Sequence, residues 1–380
     1  MSPRRRRKAR AAVKVGVPIG VLAAGVALIL IAVTMHRGTP GQADSAAGLS
    51  SAGCGSVFTG YPGQQGSVAV SSIASAGATR LAVGSADNRP AIWRCAGGTW
   101  RLVSATALDT LKGATLSSVA HGPGGWIAVG EAGSGMSEQP VAVTSASGRS
   151  WQPLNGSTAF MGAGACVTAV AADGKGYAVV GKHMSPGRIS AAMWSSADVR
   201  LWAQDNNDRG GTLDGRQAKS RVDAVAATPA GFVAVGTHGT AGMIWTSADG
   251  GQQWTLLSGL RAGALDIVAA SGNRIVAAGY TATAGGDVPV VMVSTDRGLH
   301  WKPAISLPAS GSHGRVTALA VSGSGFVAEG QLGPAGAQRS VMWSSPDGLT
   351  WSAPSGTSGI VGMTGAGEMA TDVSQQCVFM

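Results

Sequence analysis

Six short stretches of the chain end on a glycine, and each glycine is followed by a polar residue. The stretches LAVG, IAVG, AVVG, VAVG, VAAG and VAEG close at Gly84, Gly130, Gly181, Gly236, Gly279 and Gly330. The residues that follow are Ser85, Glu131, Lys182, Thr237, Tyr280 and Gln331. Glu131 and Tyr280 belong to the side-chain classes that do acid–base or covalent work. Both types are scarce, with three tyrosines (Tyr61, Tyr177, Tyr280) and four glutamates (Glu131, Glu138, Glu329, Glu368) in the chain. Glycosidic hydrolysis uses two carboxyl groups flanking one bond. Glu131 with a nearby aspartate would meet that need, but the spacing selects no partner. A cluster of side-chain oxygens lies at 205–216, which includes Asp205, Asp208 and Asp214. It lacks the closing glutamate of a known calcium loop, so it reads as a long solvated loop and a candidate partner contact. His36, His121, His183, His238, His300 and His313 show no zinc spacing, and the glycines form no phosphate loop. We expect no cofactor and no metal.

The formal charge of +9 is unevenly placed. Arg4, Arg5, Arg6, Arg7, Lys8, Arg10, Lys14 and Arg37 precede residue 38, where no acid occurs, and the remainder holds 20 basic and 19 acidic side chains. The body is close to neutral, which excludes a phosphate-backbone footprint and with it nucleic acid as partner. Between Lys14 and His36 run 21 uncharged residues. At 1.5 Å per residue such a helix spans about 30 Å, the thickness of a bilayer core. The expected plan is a basic cytoplasmic tail (1–14), a transmembrane helix through the lipid bilayer (15–35), a flexible linker (36–53) and an exported domain (54–380). The basic tail places the N-terminus in the cytoplasm of a single-pass cell-membrane protein. A cleaved signal, with a small-residue site near Gly41 and Ala43, is the alternative. Ser51-Ala52-Gly53-Cys54 resembles a lipoprotein box but stands too far from the apolar run. Gly16 and Gly20 form a GxxxG pair interrupted by Pro18.

The elements that position the polar column come from a repeat. Trp100, Trp151, Trp202, Trp254, Trp301 and Trp351 are spaced by 51, 51, 52, 47 and 50 residues. Each copy holds an apolar strand such as VTALAVSG (316–323), then the glycine-ending strand, then one such as MIWTS, then the tryptophan. Four alternating strands per copy, with turn residues between them, predict an all-β fold. Radially repeated, they make a β-propeller of four-stranded blades. One blade cannot bury both faces, so its neighbours must.

The turn before the tryptophan is the most specific signal. Two copies read Ser247-Ala-Asp249-Gly-Gly251-Gln-Gln-Trp254 and Ser294-Thr-Asp296-Arg-Gly298-Leu-His-Trp301. A third, Ser345-Pro-Asp347-Gly348-Leu-Thr-Trp351, is one residue shorter. The copy at Ser145–Trp151 lacks the Asp, that at Ser196–Trp202 lacks the Gly, and the first copy keeps only its glycines and Trp. A carboxylate accepting backbone N–H bonds two or more residues on, a glycine at positive φ and a buried indole account for the pattern. It resembles the Asp-box, or bacterial neuraminidase repeat, over residues 67–354. The resemblance implies that these turns lie on the face opposite any active site. Sialidases of that family also need an arginine triad, a Tyr nucleophile activated by Glu, and an Asp acid. Their early F/Y-R-I-P motif is absent, and Tyr280 and Glu131 fall in blades five and two.

Both ends bear on ring closure. Residues 367–380 fall where a further first strand is due, and 54–60 could supply an outer strand, which predicts a seventh blade closed by both termini. Of Cys54, Cys95, Cys166 and Cys377, the pair Cys54–Cys377 would staple that closure. The expected function is a tethered binding or assembly-scaffold module for a protein or glycan ligand on the loop face. A divergent, sialidase-like glycoside hydrolase is the alternative.

Overall fold

The computed structural model describes Cys54, Phe58, Gly60, Tyr61, most of 68–353 and the strand at 369–371. The expected tail, membrane helix and linker lie outside these residues, as do Asp208 and Cys377. Among the described residues no helix is long and apolar enough to cross a membrane.

The chain forms a six-bladed propeller. Blade 1 comprises β1 (Val68–Ala76), β2 (Thr79–Ala86), β3 (Arg89–Ala96) and β4 (Thr99–Leu102), and a short helix, α1 (Thr106–Asp109), follows. Blade 2 comprises β5 (Ala114–Gly122), β6 (Gly125–Ala132), β7 (Gln139–Ser145) and β8 (Gln152–Pro153). Blade 3 comprises β9 (Ala165–Ala172), β10 (Tyr177–Ser185), β11 (Arg188–Ser196) and β12 (Ala203–Gln204). Blade 4 comprises β13 (Ser220–Thr228), β14 (Gly231–His238), β15 (Ala241–Ser247) and β16 (Thr255–Leu256). Blade 5 comprises β17 (Ala264–Ser271), β18 (Arg274–Thr283), β19 (Gly286–Ser294) and β20 (Lys302–Pro303). Blade 6 comprises β21 (Gly314–Ser322), β22 (Gly325–Leu332) and β23 (Arg339–Ser345), with a fourth edge reduced to a Ser344–Ser352 bridge. A last strand, β24 (Met369–Thr371), stands apart.

First strands of successive blades lie side by side around the axis. Alternation along the second strand assigns its faces. In β14, Phe232 and Ala234 join the core shared with blade 3, whereas Val233 and Val235 join the core shared with blade 5. In β6, Trp126 and Ala128 pack toward blade 1, while Ile127 and Val129 pack toward blade 3. The hydrophobic core is therefore a series of slabs between blades rather than one centre.

Every first strand carries a β-bulge where it passes the marker glycine. The extra residues are Ser71, Ser117, Thr168, Asp223, Asp266 and Thr317. None of the six glycines has a positive φ. What fixes them is contact: a Cβ on Gly84, Gly130, Gly181 or Gly279 would lie 2.0 Å from the carbonyl oxygen of Ala69, Thr115, Cys166 or Ala264. The distances at Gly236 and Gly330 are 2.1 Å to Arg221 O and 2.5 Å to Arg315 O. The bulge pushes a carbonyl onto the second strand, and only hydrogen fits beneath it.

The serine–aspartate turns form as local hydrogen-bond knots. Asp249 Oδ1 accepts from the Ser247 hydroxyl (2.9 Å) and from Gln252 N and Gln253 N (both 3.0 Å). Trp254 Nε1 donates to Gly251 O at 3.0 Å. Trp301 and Trp351 repeat this with Gly298 O and Gly348 O. In blade 3 the glycine is replaced by Val199, which is held at φ 64°. This left-handed backbone is unfavourable for a β-branched side chain, and the valine compensates by packing into the core between blades 2 and 3.

Ring closure differs from the expected seventh blade. β24 pairs antiparallel with β1 and with β21, so blades 6 and 1 merge into one eight-stranded sheet. No independent blade is left between them. Cys54 is bonded to Cys95, not to Cys377. The reason lies in blade 1, whose outer face presents Ala82, Ala91, Trp93 and Trp100 without a preceding blade to cover them. Cys54 and Phe58 cover that face instead. Phe58 stacks on Trp100 with centroids 4.9 Å apart and meets Trp93 edge-on at 5.4 Å. Cys166 is also disulfide-bonded.

Two outcomes test this account. Gly236→Ala should destabilise the domain by about 3 kcal/mol through overpacking. Gly174→Ala, where a Cβ meets nothing within 4 Å, should be near neutral; urea midpoints of the two variants check the contrast. Separately, backbone bonds and His300 hold the Asp296 carboxyl down, to about 2 from 3.8. A depressed folded pKa stabilises above the unfolded value, and that stability is lost as pH falls from about 4 toward 2. Asp296→Asn should flatten this part of the acid-unfolding curve.

Candidate functional site

The end of the ring where first strands start and second strands finish holds the polar column read from sequence. The serine–aspartate turns lie at the opposite end, beside the turns that join first to second strands. Lys175 Nζ donates to Ala248 O there, and Arg274 Nη1 to Pro346 O. A shallow depression of about 580 Å³ at that opposite end is lined by Ala230, Asn273, Thr295, Asp296, Arg297 and Leu299. All six residues lie in turns at that opposite end, Ala230 and Asn273 between first and second strands and the other four after β19.

The column is not a uniform rim. Glu131, Lys182 and Thr237 are buried, whereas Ser85, Tyr280 and Gln331 are half-buried. Glu131 Oε1 accepts from Val167 N of blade 3 at 3.1 Å, so it links two blades rather than meeting Tyr280. Thr237 is 1% exposed, and its hydroxyl has no hydrogen-bond partner among the described residues. Asp205 is also buried. Its Oδ2 accepts from Trp254 N at 3.2 Å, which makes it an inter-blade fastener and not a solvated loop residue.

In blades 2, 3 and 6 the hydroxyl of the bulge residue caps the carbonyl just before the marker glycine. Ser117 donates to Val129 O (3.3 Å), Thr168 to Val180 O (3.0 Å) and Thr317 to Glu329 O (3.4 Å). Thr168 also reaches Val222 O of the next blade at 2.8 Å. Blades 4 and 5 break the pattern with Asp223 and Asp266, which are 0% and 1% exposed. An ionised carboxylate has no proton to donate. Arg221 pairs with both acids: its Nε lies 2.7 Å from Asp223 Oδ1 and its Nη2 3.4 Å from Asp266 Oδ1. Desolvation opposes the Arg221 charge, but the two aspartates outweigh it and hold its pKa above the ordinary arginine value.

Tyr280 stands beside this pair. The Arg315 guanidinium lies over its ring, 3.7 Å from the centroid. Arg315 Nε also bonds Asp287 Oδ2 at 2.6 Å. Burial raises the Tyr280 phenol above its usual value despite the opposing pull of Arg315. It is therefore protonated at neutral pH and can act as an O–H donor. Blades 4 to 6 thus hold an alternating set: Arg221, Asp223, Asp266, Tyr280, Asp287 and Arg315.

Of the expected rim residues, only Tyr280 belongs to this set. The bulge aspartates had a signal in the sequence. Aligned on the marker glycine, the first strands carry Ser, Ser, Thr, Asp, Asp and Thr at one position. Reading that column would have found them. Arg221 and Arg315 stand two residues before that position, in the column that is Ala69, Thr115, Cys166 and Ala264 in the other copies, so the same alignment places them.

No family model and no curated protein matches this chain. Solved propellers do resemble it. YCF48 from Cyanidioschyzon merolae is 16% identical, covering 76% of this chain and 83% of its own, with a TM-score of 0.48. A polysaccharide lyase, PL25 ulvan lyase, is 12% identical over 80% of this chain and 84% of its own, at 0.47. An N10 neuraminidase-like protein of a little yellow-shouldered bat virus is 12% identical over 66% and 92%, at 0.35. The likeness is one of architecture.

We expect Arg221→Met to cost about 3 kcal/mol, because it strands two buried carboxylates. Adding Asp223→Asn and Asp266→Asn should recover much of that loss. Denaturation of the single, double and triple variants measures the coupling.

Proposed function

We propose that the chain is a membrane-tethered, exported propeller of the Asp-box type that binds a protein or glycan at the mouth formed by blades 4 to 6. The alternating charged set around Tyr280 carries this reading. Buried ion pairs contribute little stability compared with apolar packing, and their concentration in three neighbouring blades at one end supports recognition. Guanidinium, carboxylate and phenol groups match hydroxyl- and amide-rich ligands, which offer donors and acceptors together. Architecture does not choose the ligand. One propeller of this kind is described as YCF48 bound to D1 peptide, and another as a polysaccharide lyase.

Binding is favoured over turnover by the surroundings of Tyr280. A tyrosine nucleophile needs a base within hydrogen-bond reach. The charged groups acting on Tyr280 are Arg315, Asp266, Arg221 and Asp287, while Glu131 is held by Val167 N. The second reading, a divergent glycoside hydrolase, draws on the convergence of Asp223 and Asp266 on Arg221, since paired carboxyl groups serve that chemistry. The tether rests on the uncharged run at 15–35 behind its basic tail, and the Cys54–Cys95 bond suits an exported compartment.

Glycan and peptide arrays probed with the exported domain supply the test. Tyr280→Phe and Arg315→Met should each weaken the selected ligand about tenfold, the order expected for one charge-assisted contact. Ser85→Ala should leave it unchanged. Turnover of any array glycan that Tyr280→Phe or Glu131→Gln abolishes would sink the binding-only reading. For the tether, the full chain should fractionate with membranes, and a chain lacking 1–35 should not.

A further inference from the structure

We propose that Arg94, Arg101 and Arg149 form an anion-binding face that rests on the phosphate headgroups of an acidic bilayer, so that the mouth bearing Tyr280 points away from the membrane. The choice of lipid as ligand rests on the tethered reading above, and nothing in it depends on what the mouth binds.

Two outer strands of blade 1 build the face. Arg94 of β3 stands directly opposite Arg101 of β4. Their neighbours fix the side they occupy. Trp93, Cys95, Trp100 and Leu102 belong to the cluster under Cys54, whereas Ile92 and Val103 join the core shared with blade 2. By strand alternation the two arginines share the blade 2 side. Like charges directly opposite each other destabilise a sheet, and no acid relieves this pair. Arg94 is half-buried, and its Nε has no hydrogen-bond partner among the described residues. The ion pairs among those residues include none of Arg94, Arg101 and Arg149.

The third arginine comes from blade 2. Leu81 pairs with Arg94, and a Cβ on Gly148 would lie 3.0 Å from Leu81 Cδ1. The turn after β7 therefore sits against the same strands, with exposed Arg149 next to Gly148. That turn has Ser147 where Asp249, Asp296 and Asp347 close other knots, so it adds a cation without their carboxylate. Acids are missing from the surroundings too. The chain has none between Asp44 and Asp87. Asp87, Asp109 and Glu131 lie at the mouth end of their blades, and Glu138 directly precedes β7, which starts there.

Charge selects an anion, and guanidinium groups match phosphate oxygens in geometry as well as sign. Position selects the source. Cys54 is bonded to Cys95, the residue after Arg94. The chain therefore joins the body beside this face, at the end of the ring opposite the mouth. A Gly/Ser/Ala-rich stretch as long as 36–53 has an r.m.s. span of about 25 Å. A bilayer holding residues 15–35 would thus lie within reach of the arginines. Each arginine near an acidic membrane surface strengthens contact about fivefold.

Full-length protein in nanodiscs supplies the test, with arginine modification by phenylglyoxal read by mass spectrometry. In phosphatidylglycerol discs, Arg101 and Arg149 should react about fivefold more slowly than in phosphatidylcholine discs. Arg89 and Arg339, at the mouth, should react alike in both. Arg94→Gln combined with Arg101→Gln should return Arg149 to its phosphatidylcholine rate without lowering the thermal midpoint, because the pair has no acid to lose. Protection of the mouth arginines instead, or no difference between the discs, would overturn the proposal. Equal protection by inorganic phosphate in phosphatidylcholine discs would also overturn it, by making the ligand a soluble anion. A chain that enters neither disc refutes the tether, and its co-sedimentation with phosphatidylglycerol vesicles, lost in the double variant, then decides the arginine face alone.

Discussion

In each blade a backbone carbonyl of the first strand rests on the Cα of a glycine in the second strand. The rest of the ring is organised around that contact. A bulge lifts the carbonyl out of the ladder, and the glycine makes room for it where any Cβ would lie within 2.5 Å of the oxygen. The bulge also leaves a second-strand carbonyl without a ladder partner, and an orphaned buried carbonyl is costly. Ser117, Thr168 and Thr317 supply the missing hydrogen. One device thus explains two columns of the repeat: small because an oxygen is above it, and polar because an oxygen is beside it.

Blades 4 and 5 depart from that logic at the same position. A threonine at 223 or 266 would serve the carbonyl without any charge, as it does in blade 3. The chain instead buries two carboxylates and pairs both with Arg221. Desolvating three charges to replace two neutral hydroxyls does not improve stability. The neighbouring Tyr280, Arg315 and Asp287 extend the exception into blade 6. Fold-level constraint accounts for the hydroxyls, and a constraint from outside the fold is needed for the acids.

The sequence made the blades legible because strand alternation and the tryptophan period are local. The serine–aspartate turns were legible for the same reason: each knot closes within about eight residues. The site was only partly legible. Tyr280 follows a marker glycine and could be found by counting, but its companions come from other strands: Asp266 and Asp287 of its own blade, Arg221 and Asp223 of blade 4 and Arg315 of blade 6. Glu131 shared the same column and was expected at the rim, yet it bonds Val167 N across a blade boundary. Asp205 was read as part of an open loop, although its carboxylate fastens Trp254 of the next blade. Both errors have one cause. A polar residue at a strand end meets either solvent or the adjacent blade, and period alone does not say which.

Closure shows how the repeat controls its own ending. Elsewhere the residue before the marker glycine is Val or Ala and packs on the following blade, as Val235 does. In the last blade that position is Glu329, half-buried. The first blade has Arg80 where Trp126, Phe232 and Phe326 meet their preceding blades. Glu329 and Arg80 therefore interrupt the apolar columns that meet at the other five boundaries, while blade 1 keeps Ala82 and Trp93 on its own face. The closure is built from different parts: β24 between the inner strands, and Cys54 with Phe58 over the outer ones. What closes the ring is a backbone ladder: β24 hydrogen-bonds to β1 on one side and to β21 on the other, where the other five boundaries are made by packed side chains.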